Sequence, residues 1–81
     1  FMRLDKFLKV SRIIKRRTVA NEACDAGKVS LNGRSAKAST AVKPGDILEI
    51  TLGERTTRYG ILQVIENAGK AQAADLYRVL S

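Results

Sequence analysis

The feature that most constrains this chain is a change in hydrophobic periodicity at Gly27. Before Gly27, apolar residues recur every three to four positions, as in amphipathic helices; after it they alternate with polar residues, as in strands. This order predicts an α+β fold in which two N-terminal helices pack on a small, mostly antiparallel sheet of four to five strands. No repeat or linker interrupts the sequence, so we expect one domain over residues 2–81, with a core motif at about 3–50 and strands from 51–81 completing the sheet. Phe1, which precedes Met2, is expected to be an addition to the natural start.

The first helix is predicted from three apolar residues and one serine at i, i+3, i+4 and i+7. At about 100° per residue, four side chains fall within one arc of about 100°, the usual width of a core-facing stripe. They are Leu4, Phe7, Leu8 and Ser11. Ile13 and Ile14 are expected beneath the helix pair. The other side of the helix is predicted to carry a mostly basic set, namely Asp5, Lys6, Lys9 and Arg12.

The second helix is predicted over Val19–Ala26, with Thr18 as its N-cap and Gly27 just after its end. Its expected inner face consists of Val19, Ala20, Ala23 and Cys24. Lys15, Arg16 and Arg17 come directly before this helix, where the helix dipole disfavours cations by about 0.3–1 kcal/mol each. Bound phosphate would offset that cost, because free N–H groups and arginine forks both suit phosphate oxygens. A solvated basic loop is the alternative interpretation.

The remaining chain reads as short strands joined by turns. Asn32-Gly33 predicts a type I′ turn in a hairpin over residues 28–37, and Pro44-Gly45 predicts a type II turn. Ile47 to Leu52 is predicted as a strand, followed by a turn at residues 53–57. A further strand is expected over 58–66, a loop or single helical turn over 67–75, and a last short strand over 76–80.

The excess charge lies entirely in the first half of the chain. Residues 1–37 hold ten bases and three acids, whereas residues 38–81 hold five of each, so the net charge of +7 belongs to the first segment. Segregated positive charge indicates a polyanion partner. Because the chain has only two Phe and two Tyr, it lacks a stacking platform for single strands. We therefore expect structured RNA, recognised by backbone and shape. DNA is less favoured, since no helix carries a face suited to major-groove contacts.

The composition argues against catalysis, metal binding and a cofactor. The chain has no histidine and one cysteine, its carboxylates are scattered, and it has no glycine-rich phosphate loop. Cys24 is interpreted as a small buried residue in a reducing cytosol. No secretory signal and no apolar run of about 20 residues is present, so we expect a cytoplasmic protein that does not enter membranes.

Residues 3–46 resemble the S4 RNA-binding domain. The resemblance rests on Arg3-Leu4-Asp5-Lys6, the basic run at 15–17, the G-x-V-x-L-N-G pattern from Gly27, and the K-P-G-D pattern at 43–46. The whole chain is similar to stand-alone bacterial S4 proteins of the small heat-shock type and of ribosome-associated quality control. The chain stops at Ser81 without the long basic extension of the heat-shock proteins, which favours the quality-control type.

That resemblance implies a function as well as a fold. It implies a factor that binds the large ribosomal subunit, contacts 23S rRNA and peptidyl-tRNA, and assists an RqcH-type partner in alanine tailing of stalled chains. We further expect this factor to be non-catalytic and monomeric. A rescue factor of the heat-shock type that binds free large subunits remains an alternative. So does a protein-interaction adaptor that uses the neutral second half.

The resemblance also assigns RNA-contacting candidates to numbered positions. They are Arg3, Asp5, Lys6, Lys9, Arg12, Lys15, Arg16, Arg17, Lys28, Asn32, Arg34 and Lys37. Arg3 and Arg17 carry the most weight. Asp5 cannot hold a phosphate, so it is expected to orient Arg3 or Arg17, or to accept from a base or a 2′-hydroxyl. The turn alone can explain Asn32, and Lys28 and Lys37 are alternatively solubilising residues of an edge strand.

Overall fold

The computed structural model describes residues 1–80, which form three helices and seven short strands. In chain order the elements are β1 (Met2–Arg3), α1 (Leu4–Val10), α2 (Arg17–Asp25), β2 (Val29–Leu31), β3 (Arg34–Ser35), β4 (Ala41–Val42), β5 (Ile47–Leu52), β6 (Arg55–Ile61), α3 (Lys70–Ala73) and β7 (Tyr77–Val79). Five strands form an antiparallel sheet in the order β3-β2-β5-β6-β7. The predicted α+β fold, with two N-terminal helices and a small antiparallel sheet, is confirmed.

A second, two-stranded ribbon was not predicted. Met2 pairs with Val42 and Arg3 with Ala41, so β1 and β4 join the start of α1 to the loop that precedes β5. Each strand has only two residues, which is too short for alternation to indicate a strand. The ribbon is significant because it fixes the backbone of Arg3 immediately before α1.

The core stripe of α1 is confirmed. Leu4, Phe7 and Leu8 are fully buried, and Ser11 is buried with its hydroxyl donating to the carbonyl of Leu8 at 3.3 Å. Ile14 is buried as well and Ile13 packs against the same core, as expected for connectors beneath the helix pair. These side chains meet the inner face of the sheet, which centres on Val29, Leu48 and Ile50.

Helix α2 begins earlier than predicted. Its first helical residue is Arg17 and its N-cap is Arg16, so the prediction of Thr18 as N-cap is wrong. Ala20, Ala23 and Cys24 are buried, but Val19 is 46% exposed, which corrects its assignment to the inner face. At about 100° per residue, Val19 lies about 40° beyond Ala23, past the edge of the buried stripe.

Cys24 is a buried free thiol, as the sequence indicated. Burial raises its pKa to about 11, and the negative charges of Asp5 and Asp25 act in the same direction. The thiol is therefore protonated and packs as a small apolar group.

The turns predicted at Asn32-Gly33 and Pro44-Gly45 agree with the backbone, but the turn predicted at residues 53–57 and both ends of the strand predicted at 58–66 do not. Asn32 and Gly33 both have positive φ, 53° and 83°, as a type I′ turn requires, and Gly45 has φ 95°. Strand β6 starts at Arg55 rather than residue 58 and ends at Ile61 rather than residue 66. The cause is its pairing with β5, which runs without interruption from Leu52 opposite Arg55 to Ile47 opposite Gly60.

Candidate nucleic-acid interface

The carboxylate of Asp5 is the centre of a buried polar cluster between α1 and α2. The helical periodicity predicts Asp5 on the outer side of α1, and this prediction is wrong because the residue is only 2% exposed. The reason is tertiary: Asp5 flanks the core stripe on the side that α2 covers, so packing of the helix pair removes it from water. Four donors compensate for that burial.

Two of these donors are arginines from different elements. Nε of Arg3 lies 3.2 Å from Oδ1 of Asp5, and Nε of Arg17 lies 3.3 Å from Oδ2. The amide Nδ2 of Asn21 donates to Oδ2 at 3.3 Å, and the backbone N–H of Lys6 donates to Oδ1 at 2.8 Å. Both carboxylate oxygens are therefore occupied by the protein itself.

The pKa of Asp5 shows which influence prevails. Burial raises this pKa, but hydrogen bonds from Arg17 and Asn21, the charge of Arg17 and the backbone N–H of Lys6 together lower it below its ordinary value of 3.8. Asp5 is therefore ionised at neutral pH and holds both guanidinium groups by charge-assisted hydrogen bonds. The side chains of Arg3 and Arg17 nevertheless stay 45% exposed, so both present positive charge to solvent.

Two adjoining surface hollows lie on either side of this cluster. The first, of about 610 Å³, is lined by residues that include Arg3, Asn21, Ser39 and Lys37. The second, of about 380 Å³, is lined by Asp5, Arg17, Thr18, Asn21 and Glu22. Asn21 lines both and forms their common border. We call them the paired hollows. Arg3 and Lys37 thus line one hollow and Arg17 lines its neighbour. Acidic residues line them as well, namely Asp25 in the first and Asp5 and Glu22 in the second.

Three of the candidates predicted from the sequence lie away from the paired hollows or contact other residues of the protein. The ammonium of Lys6 is 3.4 Å from a carboxylate oxygen of Glu66. Lys28 lines a different hollow, beside Val19 and Leu52. Asn32 donates to Asp46 at 3.0 Å and accepts from the N–H of Ile47 at 2.9 Å, so its amide ties the hairpin turn to β5.

The other basic candidates are exposed around the helix pair and the hairpin. Within residues 1–80 they make no ion pair, so their charge is available to a ligand. They are Lys9, Arg12, Lys15, Arg16 and Arg34. No side chain caps α2 in the described part of the chain, so the N–H groups of its first turn also face solvent or a ligand.

Arg12 has an unusual backbone conformation. Its φ is 61°, in the left-handed region, where it follows the last turn of α1 and donates its N–H to the carbonyl of Lys9 at 3.0 Å. Glycine is the common residue at such a position, and a residue with a Cβ costs about 1 kcal/mol there. An exposed arginine in this place favours a role for its side chain outside the fold.

Asn21 is the one residue of the cluster that the sequence analysis missed. It lies one helical turn after Arg17, so both side chains project from α2 towards α1. The i, i+4 spacing was visible in the sequence, but the predicted helix start at Thr18 left Arg17 outside the helix.

The described part of the chain shows neither a metal centre nor a membrane-spanning helix. Among residues 1–80, no three His, Cys, Asp or Glu side chains are grouped so as to hold a metal ion. None of the helices in that same part of the chain has the length and apolar character needed to cross a bilayer.

Two short helices and a hairpin, with Arg3, Lys37 and Arg17 lining the paired hollows between them, define a small α+β binding module. The S4 domain family model matches residues 2–48, and the chain belongs to this family. Among its relatives is the RQC P-site tRNA stabilizing factor of Bacillus subtilis, 49% identical over 79 residues, which cover 98% of this chain and 92% of the relative. The protein of the same name from Halalkalibacterium halodurans is 53% identical over 78 residues, 96% of this chain and 89% of the relative.

The fold comparison agrees with the sequence comparison. Heat Shock Protein 15 of Vibrio cholerae, described as trimeric, superposes with a TM-score of 0.88 at 32% identity, over 99% of this chain and 82% of that one.

Proposed function

We propose that this protein is a non-catalytic RNA-binding factor that binds the large ribosomal subunit and contacts both 23S rRNA and peptidyl-tRNA. In this proposal it supports ribosome-associated quality control, together with an RqcH-type partner that extends stalled chains with alanine. The observation that carries the proposal is the convergence of Arg3 and Arg17 on one buried carboxylate at the border of two hollows. The relatives named for stabilising P-site tRNA, which match nearly the whole chain, support the choice of tRNA as ligand.

The geometry suits phosphate groups on a folded RNA. A guanidinium held by a carboxylate has already lost much of its rotamer freedom, so less entropy is lost when it meets a phosphate. Each arginine keeps part of its planar fork exposed for bidentate contact. The surrounding uncommitted bases would add long-range attraction, which speeds association.

The remaining parts of the proposal follow from the same surface. Phosphate binding by arginine and lysine needs no cofactor, and a ribosomal ligand puts the protein in the cytoplasm. We propose that it acts as a monomer, although the Vibrio cholerae neighbour is described as a trimer. Size-exclusion chromatography with light scattering would distinguish the two states.

The first test is the salt dependence of binding to purified large subunits. If four to six phosphates are contacted, the plot of log K against log salt should have a slope of roughly −3 to −5. Arg17→Ala should weaken binding, whereas Arg58→Ala, in the neutral half of the chain, should not. An affinity that does not change with salt would contradict the proposed mechanism.

The second test addresses alanine tailing. Large subunits that carry a stalled peptidyl-tRNA are incubated with alanyl-tRNA and the RqcH-type partner, and alanine incorporation is measured with and without this protein. We expect wild type and Arg58→Ala to support tailing and Arg17→Ala to support less. If Arg17→Ala and wild type supported equal alanine incorporation, RNA binding through Arg17 would not be required for tailing.

A second candidate function is supported by the fold match to Heat Shock Protein 15. A factor of that type, as considered above, would bind free large subunits. The two functions are separated by comparing the affinity for vacant subunits with that for subunits carrying peptidyl-tRNA. We expect tighter binding to subunits that carry peptidyl-tRNA.

A protein-interaction adaptor that acts through the neutral second half of the chain would instead lose recruitment when Arg58 or Gln63 is exchanged.

A further inference from the structure

The side-chain amide of Asn21 has its NH₂ end fixed by a hydrogen bond to Asp5, whereas its carbonyl end is available to accept one. Its Nδ2 donates to Oδ2 of Asp5 at 3.3 Å. A carboxylate can only accept hydrogen bonds, so the NH₂ end of the amide must face Asp5 and the carbonyl Oδ1 must face away. Within residues 1–80, Oδ1 of Asn21 receives no hydrogen bond, and the residue is half-buried at the border of the paired hollows.

The order of groups along this surface matches the order of groups along an RNA strand. Arg3 lines one hollow, Asn21 lines both, and Arg17 lines the other, which gives the sequence cation, acceptor, cation. An RNA strand presents phosphate, ribose, phosphate in the same order. The ribose between two phosphates carries a 2′-hydroxyl, which can donate a hydrogen bond and which DNA lacks.

Asp5 cannot supply this acceptor itself. Both of its oxygens already accept from Arg3, Arg17, Asn21 and the N–H of Lys6. In the polar cluster around Asp5, the acceptor left over is therefore Oδ1 of Asn21.

We propose that Oδ1 of Asn21 accepts a hydrogen bond from a ribose 2′-hydroxyl whose flanking phosphates are bound by Arg3 and Arg17. Asn21 then distinguishes RNA from DNA, while the arginines bind either backbone. This inference rests on the proposed RNA-binding function and adds to it a residue that determines sugar specificity.

The test compares two forms of one ligand, an RNA stem-loop with the sequence of a tRNA acceptor arm. One form is natural RNA, and the other carries 2′-fluoro groups throughout, which preserve the A-form sugar conformation but cannot donate a hydrogen bond. Affinities are measured by fluorescence anisotropy for wild type, Asn21→Ala, Arg17→Ala and the matched control Asn67→Ala, which alters an exposed loop residue.

Wild type and Asn67→Ala should bind natural RNA roughly fivefold more tightly than the 2′-fluoro form, the effect of one hydrogen bond. Asn21→Ala should bind both forms with the affinity that wild type has for the 2′-fluoro form. Arg17→Ala should weaken binding to both forms equally and so keep the preference.

Three results would overturn the inference. Equal affinity of wild type for the two forms would do so without any variant. If Asn21→Ala weakened both forms equally, Asn21 would act only by supporting Asp5, and if Asn21→Ala kept the preference, another residue would contact the sugar. If wild type bound neither the RNA stem-loops nor purified large subunits, the proposed function itself would be overturned.

Discussion

Nε of Arg17 lies 3.3 Å from Oδ2 of Asp5, and this contact joins the first turn of α2 to the first turn of α1. In sequence, Arg17 belongs to a run of three bases placed where a helix dipole disfavours them. In the structure, the buried carboxylate of Asp5 compensates the last of the three. Lys15 and Arg16 have no such partner within residues 1–80, so part of the unfavourable charge remains for a ligand to offset.

Arg3 and Arg17 should contribute non-additively to stability, because they share one carboxylate. Arg3→Ala and Arg17→Ala each leave Asp5 one guanidinium, so each should lower the free energy of unfolding only modestly. The double variant leaves a buried carboxylate with neither arginine, and its loss should exceed the sum of the single losses by about 0.5–1 kcal/mol. Urea unfolding of the four proteins measures this difference. If the losses in free energy of unfolding were additive, the two arginines would not be coupled through Asp5.

Asp5 should make stability depend on acid pH. Because the folded state lowers the pKa of Asp5 below 3.8, its contribution is complete above that pH and is lost as pH falls through the folded-state value. Asp5→Asn should lower the free energy of unfolding by about 1–3 kcal/mol at neutral pH. The gap between wild type and Asp5→Asn should narrow below pH 3.8. Unfolding curves at a series of pH values measure this gap, and a constant gap would contradict the prediction.

Arg12 should lower the stability of the fold and raise the affinity for RNA. Arg12→Ala removes the charge but keeps a Cβ at φ 61°, whereas Arg12→Gly removes both the charge and the strain. Arg12→Gly should therefore be more stable than Arg12→Ala by about 1 kcal/mol in thermal or urea unfolding. Both variants should bind RNA more weakly and lower the salt slope by about 1. If either variant bound RNA with wild-type affinity, RNA binding would not explain why an arginine occupies this strained position.

Lys37 and Lys28 form a matched pair with different surroundings. Lys37 lines the same hollow as Arg3, whereas Lys28 lies in the hollow beside Val19 and Leu52. Lys37→Ala should therefore weaken binding to large subunits several-fold, and Lys28→Ala should have a smaller effect, although each variant loses one charge. Binding is measured at one fixed salt concentration, since both changes alter the salt dependence. Equal effects would indicate that net charge, rather than the paired hollows, governs affinity.

Much of the fold could be predicted from the sequence because its signals are local. The spacing of Leu4, Phe7 and Leu8 fixes one face of α1 whatever that face packs against. Asn32-Gly33 likewise determines a type I′ turn through its own backbone preferences. The segregation of charge in residues 1–37 indicated a basic binding surface for the same reason, since it needs only the order of residues.

The tertiary structure alone decided how the site is assembled. No local pattern distinguishes a buried Asp5 from an exposed one, because its burial depends on α2 covering that flank of α1. The pairing of β1 with β4, which fixes Arg3, joins residues far apart in the chain. The contact of Asn21 with Asp5 could not be predicted, because it depends on α2 beginning at Arg17, one helical turn before Asn21. The sequence thus determined which elements form and where the charge lies, and packing between those elements determined which side chains meet at one carboxylate.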